Sequence, residues 1–150
     1  MKLTDLLTED LIKMDVEGST KDEVMNELAS LIEANGALTE KQPYIDALHA
    51  REQQSSTGIG FGIAIPHGKS DAVKEPRVAF GIKRDGVDWA SMDDEPANLI
   101  FMIAVPEKSA GDEHLKILQM LSRKLIDDEF RQSLLNATTK EDIIKLASEI

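Results

Sequence analysis

The chain has 150 residues, with 17 Lys and Arg against 28 Asp and Glu, so its formal net charge at pH 7 is −11. At about 100–200 residues per domain, this length predicts one domain over residues 1–150. The negative charge leaves no broad basic surface, which argues against nucleic acid and anionic membranes as partners. The absence of cysteine excludes disulfides, thiolate metal sites and Cys nucleophiles, so any chemistry must use His, Ser, Thr or carboxylates.

The apolar runs of the chain are short. The N-terminal segment has no apolar core of the kind that a signal peptide needs. The longest apolar run, Leu99–Val105, is far shorter than the ~18 residues that suggest a membrane span. We therefore expect a cytoplasmic protein that does not insert into a membrane.

Two helices are predicted in the first third of the chain. Apolar residues at helical spacing predict a helix over about 20–35, and Thr20 with Glu23 forms a capping-box pattern at its start. The same kind of signal, with Gln42 as its second member, predicts another helix over Thr39–Gln53.

Four short strands are predicted next. Glycine alternates with apolar residues up to a proline, which predicts a strand over Ile63–Ile65 followed by a loop. Arg77–Lys83 and Val87–Ala90 flank Asp85-Gly86, a hairpin signal that predicts an antiparallel pair. The continuously apolar segment Leu99–Val105 is typical of a central strand that is covered on both faces.

The C-terminal third reads as helical. Helices are predicted from Asp112 onward, around Glu129–Asn136, and from Thr139 to the C-terminus. Strands with helices before and after them predict an α/β fold, a mixed β-sheet flanked by helices on both faces.

His67 is the first candidate for a reactive side chain. Pro66 fixes its own φ and favours extended geometry before it, so the preceding strand ends abruptly and displays His67. Gly68 permits close approach by a ligand. A histidine presented rigidly in this way suits a nucleophile or base, and the alternative is a loop histidine with no function.

Two further candidates are expected near the same edge of the sheet. His114 lies in the first turn of a predicted helix, where strand ends and helix N-termini converge and favour an anion. The alternative is a surface histidine beside acidic residues. Arg51, near the end of the second helix, is placed to reach this edge, whereas His49 is expected to be a partly exposed helix residue.

Other site motifs are missing from the sequence. Gly58–Gly62 does not fit G-x-G-x-x-G and no P-loop motif occurs, so nucleotide binding is not supported. A metal would need His67, His114 and a carboxylate to assemble in space, which leaves a metal-dependent hydrolase as an alternative. We expect neither a cofactor nor a metal.

Three segments carry a family resemblance: GIGFGIAIPHGK, W-x-S-M-D-D-E-P-A-N-L-I-F-M-I-A-V-P and D-E-H-L-K-I-L. With them the whole chain resembles the type 2 EIIA domain of the sugar phosphotransferase system, the fructose, mannitol and nitrogen-regulatory family. The resemblance implies a mixed sheet flanked by helices and a phosphocarrier. In such a carrier His67, through its Nε2 atom, accepts a phosphoryl group from the carrier protein HPr and passes it to a cysteine of a IIB domain that serves a IIC permease.

The resemblance also assigns the neighbouring residues. His114 matches the second active-site histidine of the family and Arg51 matches an arginine ahead of the Gly-rich segment. Both, together with the backbone N–H of Gly68, are suitable donors to phosphoryl oxygens.

The branch of the family is predicted from the segment that begins at Trp89, which is fructose-like. The alternative is a regulatory, nitrogen-branch protein that acts through phosphorylation-dependent protein binding. Two departures from the family pattern bear on loop and turn geometry: Phe61 stands where members often carry Asn, and Asp94-Glu95 replaces Asp-Gly.

Overall fold

The computed structural model describes residues 2–108 and 113–150, so Asp112, the expected start of a helix, lies outside the described residues. Within these ranges there are five α-helices: α1 (Lys21–Ala34), α2 (Lys41–Gln54), α3 (Glu113–Leu125), α4 (Asp128–Asn136) and α5 (Lys140–Ala147). The same ranges contain six strands: β1 (Ile12–Lys13), β2 (Gly58–Gly60), β3 (Ile63–Ala64), β4 (His67–Ser70), β5 (Arg77–Val87) and β6 (Ala97–Pro106). None of the helices in the described ranges has the length and apolar character needed to span a bilayer.

The strands form one mixed sheet around β6. Its order is β1-β5-β6-β3-β2, and β4 also pairs with β6. β6 is antiparallel to β5 and parallel to β3 and β4. Every residue of β6 except Asn98 and Pro106 is buried, and because side chains alternate between the two faces, both faces are covered. This confirms the predicted α/β fold, with helices on both faces of a mixed sheet.

β3 and β4 are two segments of one interrupted strand. Both pair with β6 in a continuous register, which places His67 opposite Ile103. Pro66 lies at the interruption because proline has no N–H to donate, although its carbonyl still accepts the Ile103 N–H at 2.9 Å. The prediction of a loop at this point is therefore wrong: His67 is the first residue of a paired strand.

The predicted hairpin turn at Asp85-Gly86 is also wrong, because β5 runs through both residues. Its register against β6 shifts between Ile82 and Val87, and Gly86 has a φ of 79°. The glycine thus forms an irregularity within the strand, and the chain reverses later, over residues 88–96. The expected pairing of Arg77–Lys83 with Val87–Ala90 is therefore wrong as well, and the antiparallel partner of β5 is β6.

Helix starts depend on whether the capping residue has a competing tertiary partner. Thr20 caps α1 as predicted, since its hydroxyl accepts the Glu23 N–H at 3.2 Å and the Glu23 carboxylate accepts the Thr20 N–H at 3.1 Å. The predicted cap at Thr39 is wrong, because α2 begins at Lys41. Thr39 instead donates its N–H and its hydroxyl to the carbonyl of Ala72, at 2.8 and 3.4 Å.

Candidate functional site

A cavity of about 470 Å³ opens where β4, the C-terminal half of α2 and the start of α3 meet. It is lined by Ala47, Ala50, Arg51, Gln54, His67, Gly68, Lys69 and His114. The structure thus brings together the four residues that the sequence marked as site residues. Sequence reasoning missed Gln54 and Lys69, and the signal for Lys69 was its position two residues after His67, which places both on one face of a strand.

Two hydrogen bonds fix the tautomer of His67. Its Nδ1 lies 2.9 Å from the carbonyl oxygen of Ile65, and its Nε2 lies 3.2 Å from Nε of Arg51. A carbonyl oxygen can only accept and a guanidinium can only donate. Nδ1 therefore carries the proton, and Nε2 carries the lone pair that faces Arg51.

The protonation state of His67 follows from its surroundings. The pKa of His67 lies below its ordinary value, chiefly because the ring is buried, and the nearby Arg51 guanidinium lowers it further. The hydrogen bond to the Ile65 carbonyl and the Glu52 carboxylate each raise this pKa, but they do not cancel the lowering. Neutral imidazole is the nucleophilic form. The lowered pKa favours the neutral form of His67, in which Nε2 carries the lone pair.

Arg51 is held by the end of its own helix. Its Nη1 donates to the carbonyl of Ser55 at 2.8 Å and lies 3.4 Å from the Ser55 hydroxyl. The same guanidinium contacts His67 through Nε. An anionic group attached to Nε2 of His67 would therefore lie beside a planar cation with several donors, the arrangement that suits phosphate.

A buried carboxylate, Glu52, anchors the end of α2 beside Arg51. The Glu52 side chain is 8% exposed and accepts from Nζ of Lys21 at 2.9 Å. It also accepts from the N–H of Thr57 at 3.3 Å and from the Thr57 hydroxyl, which in turn accepts the Nε1–H of Trp89 at 3.0 Å. Sequence reasoning missed this network because its members come from four separate segments.

The three histidines have different surroundings. The rings of His67 and His114 are stacked, with centroids 6.1 Å apart and planes inclined by 24°. His49 is outside the cavity lining, and its Nε2 lies 3.6 Å from Oδ1 of Asp22 with 41% of its side chain exposed. The interpretation of His49 as a partly exposed helix residue fits this position.

Gly68 has a packing role that the sequence did not indicate. A Cβ at this position would lie 3.2 Å from Cβ of Ala47 and 3.3 Å from the backbone nitrogen of Leu48. The glycine therefore lets α2 pack closely on β4, which brings Arg51 to His67. Its predicted role as a donor to phosphoryl oxygens stays a prediction.

The basic side chains that border the cavity, Arg51 and Lys69, suit an anion. Over residues 2–108 and 113–150, no group of three or more His, Asp and Glu side chains is placed to hold a metal ion. Both ring nitrogens of His67 are also engaged, since Nδ1 carries a proton and the Nε2 lone pair accepts from Arg51. A metal-dependent hydrolase built on His67 and His114 gains no support from this geometry.

Comparisons with known proteins found similar families, sequences and structures. The family model of the phosphoenolpyruvate-dependent sugar phosphotransferase system, EIIA 2, matches residues 5–150. The fructose-specific EIIABC component of Bacillus subtilis is 44% identical over 149 residues, and the match covers 99% of this chain but only 23% of that protein. The fructose-specific EIIA component of Haloferax volcanii is 40% identical over 153 residues, covering 100% of this chain and 99% of that protein. The crystal structure of the nitrogen regulatory protein IIA-Ntr from Neisseria meningitidis has a TM-score of 0.88 at 33% identity and covers 96% of this chain and 97% of that one.

Proposed function

The chain belongs to the EIIA 2 family of the phosphoenolpyruvate-dependent sugar phosphotransferase system, and from this premise we propose that His67 is its phosphoryl carrier. In this proposal His67 accepts the phosphoryl group of phospho-HPr and passes it to a cysteine of a IIB domain. The observation that carries the proposal is the tautomer of His67, with Nδ1 bonded to the Ile65 carbonyl and the Nε2 lone pair beside Arg51.

The proposed transfer needs no external base. Nε2 of His67 attacks the phosphorus, the Nε2–P bond forms, and the P–N bond of the donor phosphohistidine breaks with its electron pair returning to the donor ring. The proton of His67 stays on Nδ1 and remains bonded to the Ile65 carbonyl. Arg51 exchanges its contact with the lone pair for contacts with the phosphoryl oxygens, as phosphoryl transfer requires donors around those oxygens.

The onward step requires a second protein or domain. The chain contains no cysteine, so a thiolate that takes the phosphoryl group from His67 must come from elsewhere. The name of the B. subtilis relative, an EIIABC component, supports a IIB domain as acceptor and a IIC permease beyond it. We also propose the cytoplasm as the location of this exchange.

Fructose uptake is the system that we propose. The two fructose-specific relatives, at 44% and 40% identity, support it. A second candidate is regulation, in which the phosphorylation state of His67 controls binding to other proteins. It is supported by the 33% identity to the nitrogen regulatory protein of N. meningitidis.

Labelling with phospho-HPr tests the carrier role. We expect the native chain to become phosphorylated, His67→Ala to lose the label, and His114→Ala to accept it more slowly because a neighbouring ring is lost. His49→Ala is the matched control and should label like the native chain. Undiminished labelling of His67→Ala would contradict the proposal.

The two candidate roles are separated by the next acceptor. Phosphorylated chain is mixed with a fructose IIB domain, and transfer to its cysteine is followed. Rapid transfer favours uptake, whereas a phosphorylated chain that IIB does not discharge favours regulation.

A further inference from the structure

We propose that the cavity at His67 also accepts small acyl phosphates, so that the chain can be phosphorylated without a donor protein. This inference rests on the proposed role of His67 as the phosphoryl acceptor. It goes further because it adds a class of donor, the mixed anhydrides of phosphate with a short carboxylic acid.

The first step of the argument is that this chain orients its own nucleophile. The proton on Nδ1 of His67 is held by the Ile65 carbonyl at 2.9 Å, and Nε2 is held beside Arg51 at 3.2 Å. Neither contact involves a residue of another protein. A donor therefore has to bring only a phosphoryl group and a good leaving group.

The second step is the charge that faces the cavity. His67 and Lys69 are both half-buried and lie two positions apart on β4, so their side chains leave the strand on the same side. Lys69 therefore lines the cavity from the same side of the strand as His67, with Arg51 contributed by α2. The basic side chains of Arg51 and Lys69 thus border the cavity, where they would bind the doubly charged phosphoryl end of an acyl phosphate.

The third step is the size and lining of the cavity. Its volume of about 470 Å³ lies within the range of roughly 300–1,000 Å³ that is typical of small-molecule sites. A phosphoryl group alone fills only part of this space. The methyl groups of Ala47 and Ala50 form an apolar part of the wall, which suits the methyl group of an acetyl leaving group.

The transfer balances with the groups that are present. Nε2 of His67 attacks the phosphorus of the acyl phosphate, the Nε2–P bond forms and the bond from phosphorus to the acyl oxygen breaks. The electron pair leaves on that oxygen, which departs as a carboxylate. The proton on Nδ1 does not move, and no metal, oxidant or further reactant is consumed.

Acetyl phosphate is the probe for this proposal. The purified native chain is incubated with it, and intact-mass spectrometry follows the gain of one phosphoryl group, with peptide mapping at neutral pH to locate it. We expect an acid-labile group on His67, formed at a rate that saturates with acetyl phosphate concentration. Acetylated lysine is distinguished by its different mass and its stability to acid.

Variants distinguish labelling that depends on the cavity at His67 from labelling that any histidine side chain would show. His67→Ala should lose the product and Lys69→Met should form it about tenfold more slowly, as expected for loss of one charged hydrogen-bond donor. His49→Ala should behave like the native chain. Labelling of His49 at the same rate as His67 would overturn the proposal, because the cavity would then contribute nothing.

The failure of this inference can be told from failure of the carrier role. A chain that is labelled by phospho-HPr but not by acetyl phosphate overturns the inference and leaves the carrier role intact. A chain that neither donor labels overturns both.

Discussion

The contact between Arg51 and His67 joins the proposed nucleophile to the cation that would receive its charge. Nε of the Arg51 guanidinium is 3.2 Å from Nε2 of His67, so this cation disfavours protonation of the ring. In the proposed transfer the same cation would then face an anion. Arg51 would thus add to the effect of burial in keeping the acceptor neutral before transfer, and would stabilise the product after it.

Replacing Arg51 with Gln should raise the pKa of His67. The substitution removes the guanidinium, which lowers that pKa, and admits water to a ring whose burial lowers it further. More of His67 is then protonated at a given pH. As the solution is acidified, the variant should therefore lose phosphoryl acceptance at a higher pH than the native chain does. NMR titration of the His67 ring measures the shift, and we expect transfer to slow about 100-fold, as for loss of one well-placed donor.

Glu52→Gln is the matched control for this prediction. The Glu52 carboxylate raises the pKa of His67, so its neutralisation should move that pKa downward, opposite to the shift in Arg51→Gln. Shifts of the same sign in both variants would contradict the electrostatic explanation.

Local signals at single residues account for part of the site prediction. His67, Gly68 and Arg51 could be found because the PHG motif and the family resemblance mark them. Glu52 could not, since its importance comes from contacts with Lys21 and Thr57 that only the folded chain creates. The same applies to the tautomer of His67, which depends on a contact that no spacing rule predicts.

The turn between β2 and β3 explains one departure of this chain from its family. Phe61 has a φ of 59°, in the left-handed region where Asn is favoured over other non-glycine residues. In the second departure, Asp94-Glu95 in place of Asp-Gly, the residue with a positive φ is Asp94, at 63°, and Glu95, which stands where the glycine was expected, has no positive φ. Phe61 is therefore a less favoured residue at a left-handed position, whereas backbone conformation does not explain Glu95.

Phe61→Asn should stabilise the protein. Asn adopts the left-handed conformation at lower cost, and the side chain of Phe61 is 66% exposed, so little burial is lost. Its ring is 4.9 Å from the Arg131 guanidinium, and the loss of this contact offsets part of the gain. We expect the free energy of unfolding to rise by about 0.5–1 kcal/mol, as measured by urea denaturation.

A β-branched residue gives the opposite result at the same turn. Phe61→Val should lower the free energy of unfolding, because Val tolerates positive φ poorly. If the Asn variant unfolds more easily than the native chain, backbone strain at this turn is not the controlling factor.

Helices that begin at a capping motif could be predicted from the sequence. Features that depend on hydrogen bonds to a distant segment could not. The helices α1 and α5 begin at the predicted capping boxes, Thr20 and Thr139. Asp85-Gly86 and Thr39 carry equally good local signals, but pairing with β6 and with Ala72 overrides them. Sheet pairing joins distant segments, and the sequence pattern of one segment does not contain its partner.

The distribution of charge over the whole molecule controls how partners approach. The net charge is −11, yet the cavity itself is bordered by Arg51 and Lys69. A basic partner is therefore attracted by the molecule at long range, while in the proposed transfer the phosphoryl group would be bound by Arg51 and Lys69 at short range. Salt screens the first effect far more than the second.

Association with a basic-faced partner such as HPr should weaken as salt is added. We expect the second-order rate of phosphoryl transfer to fall about tenfold between low salt and roughly 0.5 M salt, because steering by net charge is screened. Stopped-flow measurement at several ionic strengths gives this rate. The rate at saturating partner should change much less, and a second-order rate that is independent of salt would refute long-range steering.

The acceptor that holds the Nδ1 proton is the backbone carbonyl of Ile65. Where a carboxylate side chain orients a histidine, one point mutation can remove the orienting group. Here no substitution at position 65 deletes the oxygen, because every amino acid brings the same carbonyl. The path of the main chain would thus fix which nitrogen reacts in the proposed phosphorylation, and the walls of the cavity could be redesigned for other donors while the lone pair stays on Nε2.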